Sequence, residues 1–165
     1  MERLSLIRAK IYSWENLQRQ VAVWRFKDKK IVFSNGCFDV LHLGHIEYLA
    51  KARDLGDILI VGLNSDGSVR RIKGAHRPVN NEEARALTLA AMSFIDAVVI
   101  FDKDTPFELI KLIQPDVLVK GKDYEGKEIV GADIVKARGG QTVTIELTKG
   151  YSTSHTIELS QKVHP

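Results

Sequence analysis

Short, continuously apolar runs alternate with longer mixed stretches along most of this chain. From Lys30 onward, Ile31–Ser34, Ile58–Leu63, Ala97–Phe101, Val117–Val119 and Thr142–Leu147 read as strands buried on both faces. The intervening stretches His45–Leu55, Glu82–Ser93, Thr105–Ile113 and Ala132–Arg138 read as helices, with Gly56, Gly121 and Gly139–Gly140 marking ends and Thr105–Pro106 marking a start. A last helix is predicted from Ser152 to Gln161. Strands that alternate with helices need crossover connections, which are right-handed and cover both faces of a parallel sheet. The expected fold is therefore α/β, a doubly wound parallel sheet of five strands. Residues 1–29 differ: Ser13 can cap a helix over Trp14–Phe26 with Leu17, Val21 and Trp24 along one face. They are expected to form an N-terminal helical extension, packed on the main domain of residues 30–165 or serving a subunit contact.

Composition narrows the class. At 165 residues the chain matches one ordinary domain, and 44% hydrophobic content supplies a core. The net charge of +3 is small for a dedicated nucleic-acid binder, so no nucleic-acid partner is expected; it suits a compact site for a polyanion. Cys37 stands alone, so no internal disulfide forms, as expected in a reducing compartment. The first residues carry charges throughout and contain no apolar signal core, and no run reaches membrane-spanning length. A cytoplasmic protein without membrane contact is expected.

Chemistry-bearing residues gather at strand ends, where open parallel sheets bind ligands. The first strand runs into Asn35-Gly36-Cys37-Phe38-Asp39, and a helix starts near Gly44. His42 and His45 lie three apart, so both rings can face one way over the first helical turn. Gly44 removes a side chain between them, and the helix N-terminus offers free N–H groups. These are parts of a phosphate site, yet neither a Walker A nor a G-x-G-x-x-G string is present. A zinc site on the two histidines would need Asp39 or Cys37 as a third ligand, without the usual spacing.

Three further strand ends or helix starts carry polar groups. Asn64-Ser65-Asp66 follows the second strand, with Asp66 able to start a helix. Arg70, Arg71, Lys73 and Arg77 come next; Gly74 and Pro78 mark this segment as a loop able to close over phosphates. Lys120, Gly121 and Asp123 end the fourth strand, and Ser152-Thr153-Ser154 follow Gly150, where hydroxyls can cap a helix or hold a phosphate.

The H-x-G-H element within GCFDVLHLGH resembles the nucleotidylyltransferase superfamily of the cytidylyltransferase type. That resemblance implies a Rossmann-like fold and nucleotidyl transfer without a covalent enzyme intermediate. It implies that His42, His45 and Lys73 stabilise the reacting phosphates. It places Asn35, Gly36, Cys37, Phe38, Gly44, Lys120, Gly121, Asp123, Ser152, Thr153 and Ser154 around the nucleotide. Asp39, Asn64, Asp66, Arg77 and Arg85 would surround the sugar phosphate, with Asp39 either meeting the substrate or orienting the site. Asp123 would serve the ribose, the metal ion or the acceptor.

The strings NGCFDVLHLGH, LIVGLNSD, RIKGAHRPV, DTPFELI, PDVLVKGKDY and GYSTS are more similar to the adenylyltransferase domain of bifunctional heptose phosphate enzymes. Cytidylyltransferases of the family carry Arg-Thr before the closing glycine, where this chain has Leu147–Thr148; Lys122 also stands where relatives often have glycine. The resemblance implies AMP transfer from ATP to D-glycero-D-manno-heptose 1-phosphate for lipopolysaccharide or surface glycan synthesis. The alternative is cytidylyl transfer to a polyol phosphate or phosphoethanolamine. It further implies Mg²⁺ held mainly by the ATP phosphates, a homo-oligomer, and a stand-alone enzyme with the heptose kinase on a separate chain.

Overall fold

The computed structural model describes residues 2–124, 126–148, 150–153 and 156–157, with the backbone alone at 124. Six parallel strands form one sheet, in the order β1 (Ile11–Tyr12), β4 (Ala97–Phe101), β3 (Ile58–Asn64), β2 (Ile31–Gly36), β5 (Val117–Gly121), β6 (Gln141–Ile145). The five expected strands are all present, and the sixth corrects the count. It comes from the N-terminal segment, where Ile11 and Tyr12 pair with Val98 and Val99 at the edge of β4. A two-residue strand shows no alternation to read, so the pattern could not announce it.

Along the central strands successive side chains enter opposite cores, as the period of two requires. Val32, Leu59, Val61, Leu63, Val98, Val117 and Val119 face α3 (Leu43–Arg53) and α5 (Glu82–Ala90). Ile31, Phe33, Ile58, Ile60, Val99 and Leu118 face α2 (Trp14–Phe26), α6 (Phe107–Ile113) and α7 (Ala132–Ala137). Burial on both faces explains the continuous apolar runs. Aspartates set the amino ends of the strands: Asp57, Asp96 and Asp116 accept from the backbone N–H groups of Lys30, Leu59 and Ile31 at 2.7–2.8 Å.

The N-terminal segment contains α1 (Arg3–Arg8), β1 and α2. Ser13 accepts from the Asn16 N–H and caps α2. Leu17 and Val21 of α2 are buried in the second core, and Trp14 Nε1 donates to the Ile100 carbonyl at 2.9 Å. α4 (Asp66–Lys73) corrects a second expectation. Arg70, Arg71 and Lys73 ride on this helix, and the loop begins only at Gly74. Ser65, rather than Asp66, is the cap, accepting from the Ser68 N–H at 3.0 Å. Its hydroxyl gives the helix an earlier start than the glycine and proline pattern indicated. Beyond β6, Thr156 N–H donates to the Ser152 carbonyl, and the later part of the expected last helix lies outside the described residues.

Leu17 is fully buried. Leu17→Ala is expected to lower unfolding free energy by about 2–5 kcal/mol in one cooperative transition. Urea unfolding followed by circular dichroism and tryptophan fluorescence checks this; two separate transitions would mean that the N-terminal segment folds independently.

Candidate functional site

The connections set where a site can form. β2 leads to β3 on one side of the sheet, while β5 and β6 extend it on the other. The crevice between the carboxyl ends of β2 and β5 is the topological switch point. A cleft of about 550 Å³ opens there. Its walls include Asn35, Gly36, Cys37, Phe38, Asp39, His42, Gly44 and His45, all from the end of β2 and the start of α3. Asn64, Lys73 and Arg77 stand on one flank; Lys120, Gly121, Asp123, Ser152 and Thr153 stand on the other. Two widely separated pieces of sequence therefore meet across the histidines. Ser154 lies outside the described residues.

The two imidazoles stack with centroids 3.8 Å apart and planes 22° from parallel. A Cβ at position 44 would sit 3.1 Å from His42 Nδ1, so the room that glycine leaves is filled by the His42 ring itself. Phe38 holds a left-handed backbone (φ 44°) and sets its ring edge-on to His45 at 5.3 Å. A bulky residue in that region is a strained position, held here by the packing around it.

Burial lowers the pKa of both histidines, and His45, beside His42 as well, falls to about 4. The Nδ1 atoms of both rings are buried without a hydrogen-bond partner among the described residues. A second ring proton would need an acceptor there, and none of the described residues provides one. In the open cleft the pair is therefore neutral. The neutral form with its proton on Nε2 avoids burying an N–H without an acceptor.

Fixed positive charge comes from lysine and arginine. Lys73 is exposed on one flank. Lys120, 8% exposed at the end of β5, donates to the Asn35 side-chain oxygen, and burial lowers its pKa to about 8 against the opposing pull of Asp123. Burial also raises the Cys37 pKa, which keeps the thiol protonated.

Arg85 and Asp66 stand outside the lining of this cleft. Arg85 is 2% exposed. It donates to the carbonyls of Asn80, Cys37 and Asn64 and to Asp66 Oδ1 at 2.6–2.9 Å. Asp66 lines a different hollow of about 800 Å³ with Glu82, Glu83 and Asp102. Although larger, that hollow carries four carboxylates against Arg70, a poor setting for a polyanion.

Four lining residues escaped sequence reading, among them Asp104, which is ion-paired to Arg71 at 2.7 Å. Tyr151 lies nearly parallel to the His42 ring at 6.5 Å. Its position between Gly150 and the hydroxyl cluster was the only signal. Tyr48 donates to the Val119 carbonyl at 3.1 Å and shares a hydrogen bond with Ser34, tying α3 to β2 and β5. Ile72 was masked by the basic residues around it. Thr148 donates to Glu47, which brings the segment after β6 against α3.

No group of three or more His, Cys, Asp or Glu side chains among the described residues could hold a metal ion. Asp39 and Asp66 are already ion-paired to Arg77 and Arg85.

Paired imidazoles over a helix start, at the switch point of a doubly wound parallel sheet, define a nucleotide-handling α/β protein. The chain belongs to the cytidylyltransferase-like family, whose profile matches residues 33–159. It is similar to the bifunctional protein HldE of Wolinella succinogenes, 54% identical over 92% of this chain and 31% of that protein. HldE of Campylobacter curvus is 63% identical over 77% of this chain and 26% of its own length. The chain thus spans about three tenths of the curated relatives it matches. Among solved structures, the lipopolysaccharide core biosynthesis protein of Thermoplasma volcanium superposes with a TM-score of 0.61 at 25% identity, covering 75% of this chain and 99% of that one. No helix among the described residues is long and apolar enough to cross a membrane.

A histidine kept neutral by the fold leaves the unfolded chain with the higher proton affinity. Between pH 6.5 and 4 the unfolded state binds the extra proton, so stability falls as pH falls through this window. From pH 6.5 to 5 the His45 share amounts to roughly 2 kcal/mol. Urea unfolding of wild type and His45→Gln at both pH values should show a smaller acid loss in the variant; equal losses would place the titration elsewhere.

Proposed function

We propose that this chain is a nucleotidyltransferase that moves AMP from ATP to D-glycero-D-manno-heptose 1-phosphate, yielding ADP-heptose and pyrophosphate. The observation that carries the reading is a single cleft in which stacked imidazoles stand between Lys73 and Arg77 on one flank and Lys120 with hydroxyl and apolar groups on the other. The choice of acceptor rests on the resemblance of nearly the whole domain to the adenylyltransferase part of bifunctional heptose phosphate enzymes. The matches to HldE proteins and to a lipopolysaccharide core biosynthesis protein agree with it.

The magnesium complex of ATP is the substrate, with the ion carried on the phosphates. An oxygen of the sugar 1-phosphate attacks the α-phosphorus in line, and the α–β bridging oxygen leaves with pyrophosphate. The attacking oxygen is already ionised at neutral pH, so alignment and charge neutralisation supply most of the acceleration. His42 and His45 offer N–H donors to developing charge without a fixed cation that would hold the ground state equally well. Their Nε2 N–H groups strengthen as donors when negative charge develops beside them. Lys73 and Lys120 neutralise phosphate charge from opposite flanks, and Ser152 and Thr153 add hydroxyl donors. Asp123 lies close over Gly121 at the cleft edge, within reach of a ribose hydroxyl.

Leu147 favours adenylyl over cytidylyl transfer. It lines the cleft beside Gly121 and places an apolar side chain where the cytidylyltransferase pattern has arginine. ADP-heptose would feed glycosyl transfer into lipopolysaccharide or another surface glycan, and a sugar kinase must supply the acceptor. A cytoplasmic, homo-oligomeric enzyme is part of this proposal.

The test is pyrophosphate release from ATP, CTP, GTP and UTP with both anomers of heptose 1-phosphate. ATP with one anomer is the expected productive pair; release only with CTP and a polyol phosphate would replace this reading by its alternative.

Lys120 generates a second expectation. Its ammonium loses its proton around pH 8, so kcat/KM should fall above that pH. Lys120→Arg keeps a cation at all working pH values and should move this limb above pH 9, while Lys120→Met should stay low throughout. An unchanged limb in the arginine variant would assign it to another group.

A further inference from the structure

The loop between α4 and α5 is fastened to the cleft through one carboxylate. Asp39 has a side chain only 1% exposed. Its Oδ2 accepts from Arg77 Nε at 2.6 Å, and its Oδ1 accepts from the backbone N–H groups of Val79 and Asn80 at 2.7 and 3.0 Å. The Asp39 carbonyl takes a further bond from Asn80 Nδ2 at 2.9 Å. Both carboxylate oxygens are thus engaged by protein donors. A buried anion in that state is a poor ligand for another anion.

Arg77 is differently placed. Only its Nε is tied to Asp39; its two terminal amino groups have no acceptor among the described residues, and the side chain lines the cleft. A guanidinium held by Nε presents its remaining N–H groups as a planar fork, which matches two phosphate oxygens. Lys73 stands on the same flank, together with Asn64 and Ile72. The opposite flank carries Lys120 and Asp123 beside Leu147, Tyr151, Ser152 and Thr153, so its single cation adjoins an apolar and hydroxyl surface suited to a nucleoside. The flank of Arg77 has two cations, the carboxylate of Asp104 already paired to Arg71 at 2.7 Å, and no aromatic side chain among the described lining residues.

We infer that Asp39 is a positioning residue that aims the Arg77 guanidinium at the phosphate of the acceptor and does not itself touch substrate. The inference rests on the proposed function for the identity of that acceptor. The carboxylate does two jobs. Its Oδ1 pins the loop backbone, and its Oδ2 fixes the rotation of the guanidinium.

The experiment separates those jobs. Asp39→Asn can keep an oxygen toward Val79 and Asn80 while turning an N–H toward Arg77 Nε, where two donors then meet. Steady-state kinetics on Asp39→Asn, Arg77→Ala and the double variant should give an acceptor KM raised about tenfold or more, with the ATP KM within about threefold. The double variant should be no worse than Arg77→Ala, because Asp39 acts through the arginine. Additive losses, or equal losses toward both substrates, would overturn the inference. Thermal midpoints report whether each variant is folded. If Asp39→Asn does not fold, Arg77→Lys takes its place: it leaves the loop amides bonded to Asp39 and should show the same one-sided rise in acceptor KM, whereas equal rises for both substrates would overturn the inference.

Affinity for inorganic phosphate, titrated by calorimetry on the same proteins, is independent of which sugar is used. The single and double variants should weaken it alike relative to wild type. A wild type that makes no product from heptose 1-phosphate, yet shows this shared loss, would sink the assigned substrate and leave the Asp39–Arg77 latch standing. An Asp39→Asn protein with wild-type phosphate affinity would sink the latch alone.

Discussion

One buried guanidinium ties together the parts on which the cleft is built. Arg85, in the first half of α5, reaches the carbonyl just past β2, the last carbonyl of β3, the carbonyl of Asn80 and the Asp66 carboxylate. The carboxyl edge of a parallel sheet leaves carbonyls without ladder partners, and these need donors once they are buried. Arginine is the side chain that can satisfy several at once from one rigid plane. The pairing with the partly exposed Asp66 carboxylate compensates the buried charge of Arg85. The turn holding Cys37 and Phe38, the tip holding Asn64 and the loop holding Arg77 are thereby kept in register. Asp39 then fastens the same loop from the cleft side.

That framework supports a graded set of positive groups. Lys73 is exposed, Arg77 is clamped at its Nε, Lys120 is buried with a lowered pKa, and the histidines are uncharged in the open cleft. Fixed cations attract a polyphosphate on arrival, whereas neutral imidazoles gain strength only as negative charge builds beside them. The close stacking of the rings enforces this division, because two adjacent imidazolium ions would repel each other. Gly44 permits the stacking, and the strained Phe38 closes one side of it.

The α/β architecture was legible because burial on both faces leaves an unbroken apolar signature. The runs at Ile58 and Ala97 match observed strands nearly end to end. The helix over Trp14–Phe26 was legible because Ser13 and the Leu17–Val21 spacing act locally. The two-residue strand at Ile11 was not, since its existence depends on the free edge of β4. Likewise Arg70, Arg71 and Lys73 looked like loop cations, yet the Ser65 cap carries them on a helix.

The sequence by itself determined which chemical groups follow the strands: the paired histidines after β2, the lysine at 120 and the hydroxyls at 152 and 153. Those assignments depend on spacing along the chain, which local geometry converts directly into position. Tertiary structure alone decided what each group does with its neighbours. It engaged both oxygens of Asp39, withdrew Arg85 and Asp66 behind the cleft wall, and left the imidazole Nδ1 atoms without described partners. Such outcomes depend on contacts between residues tens of positions apart, and charge and hydrogen-bond satisfaction are settled only when those contacts form.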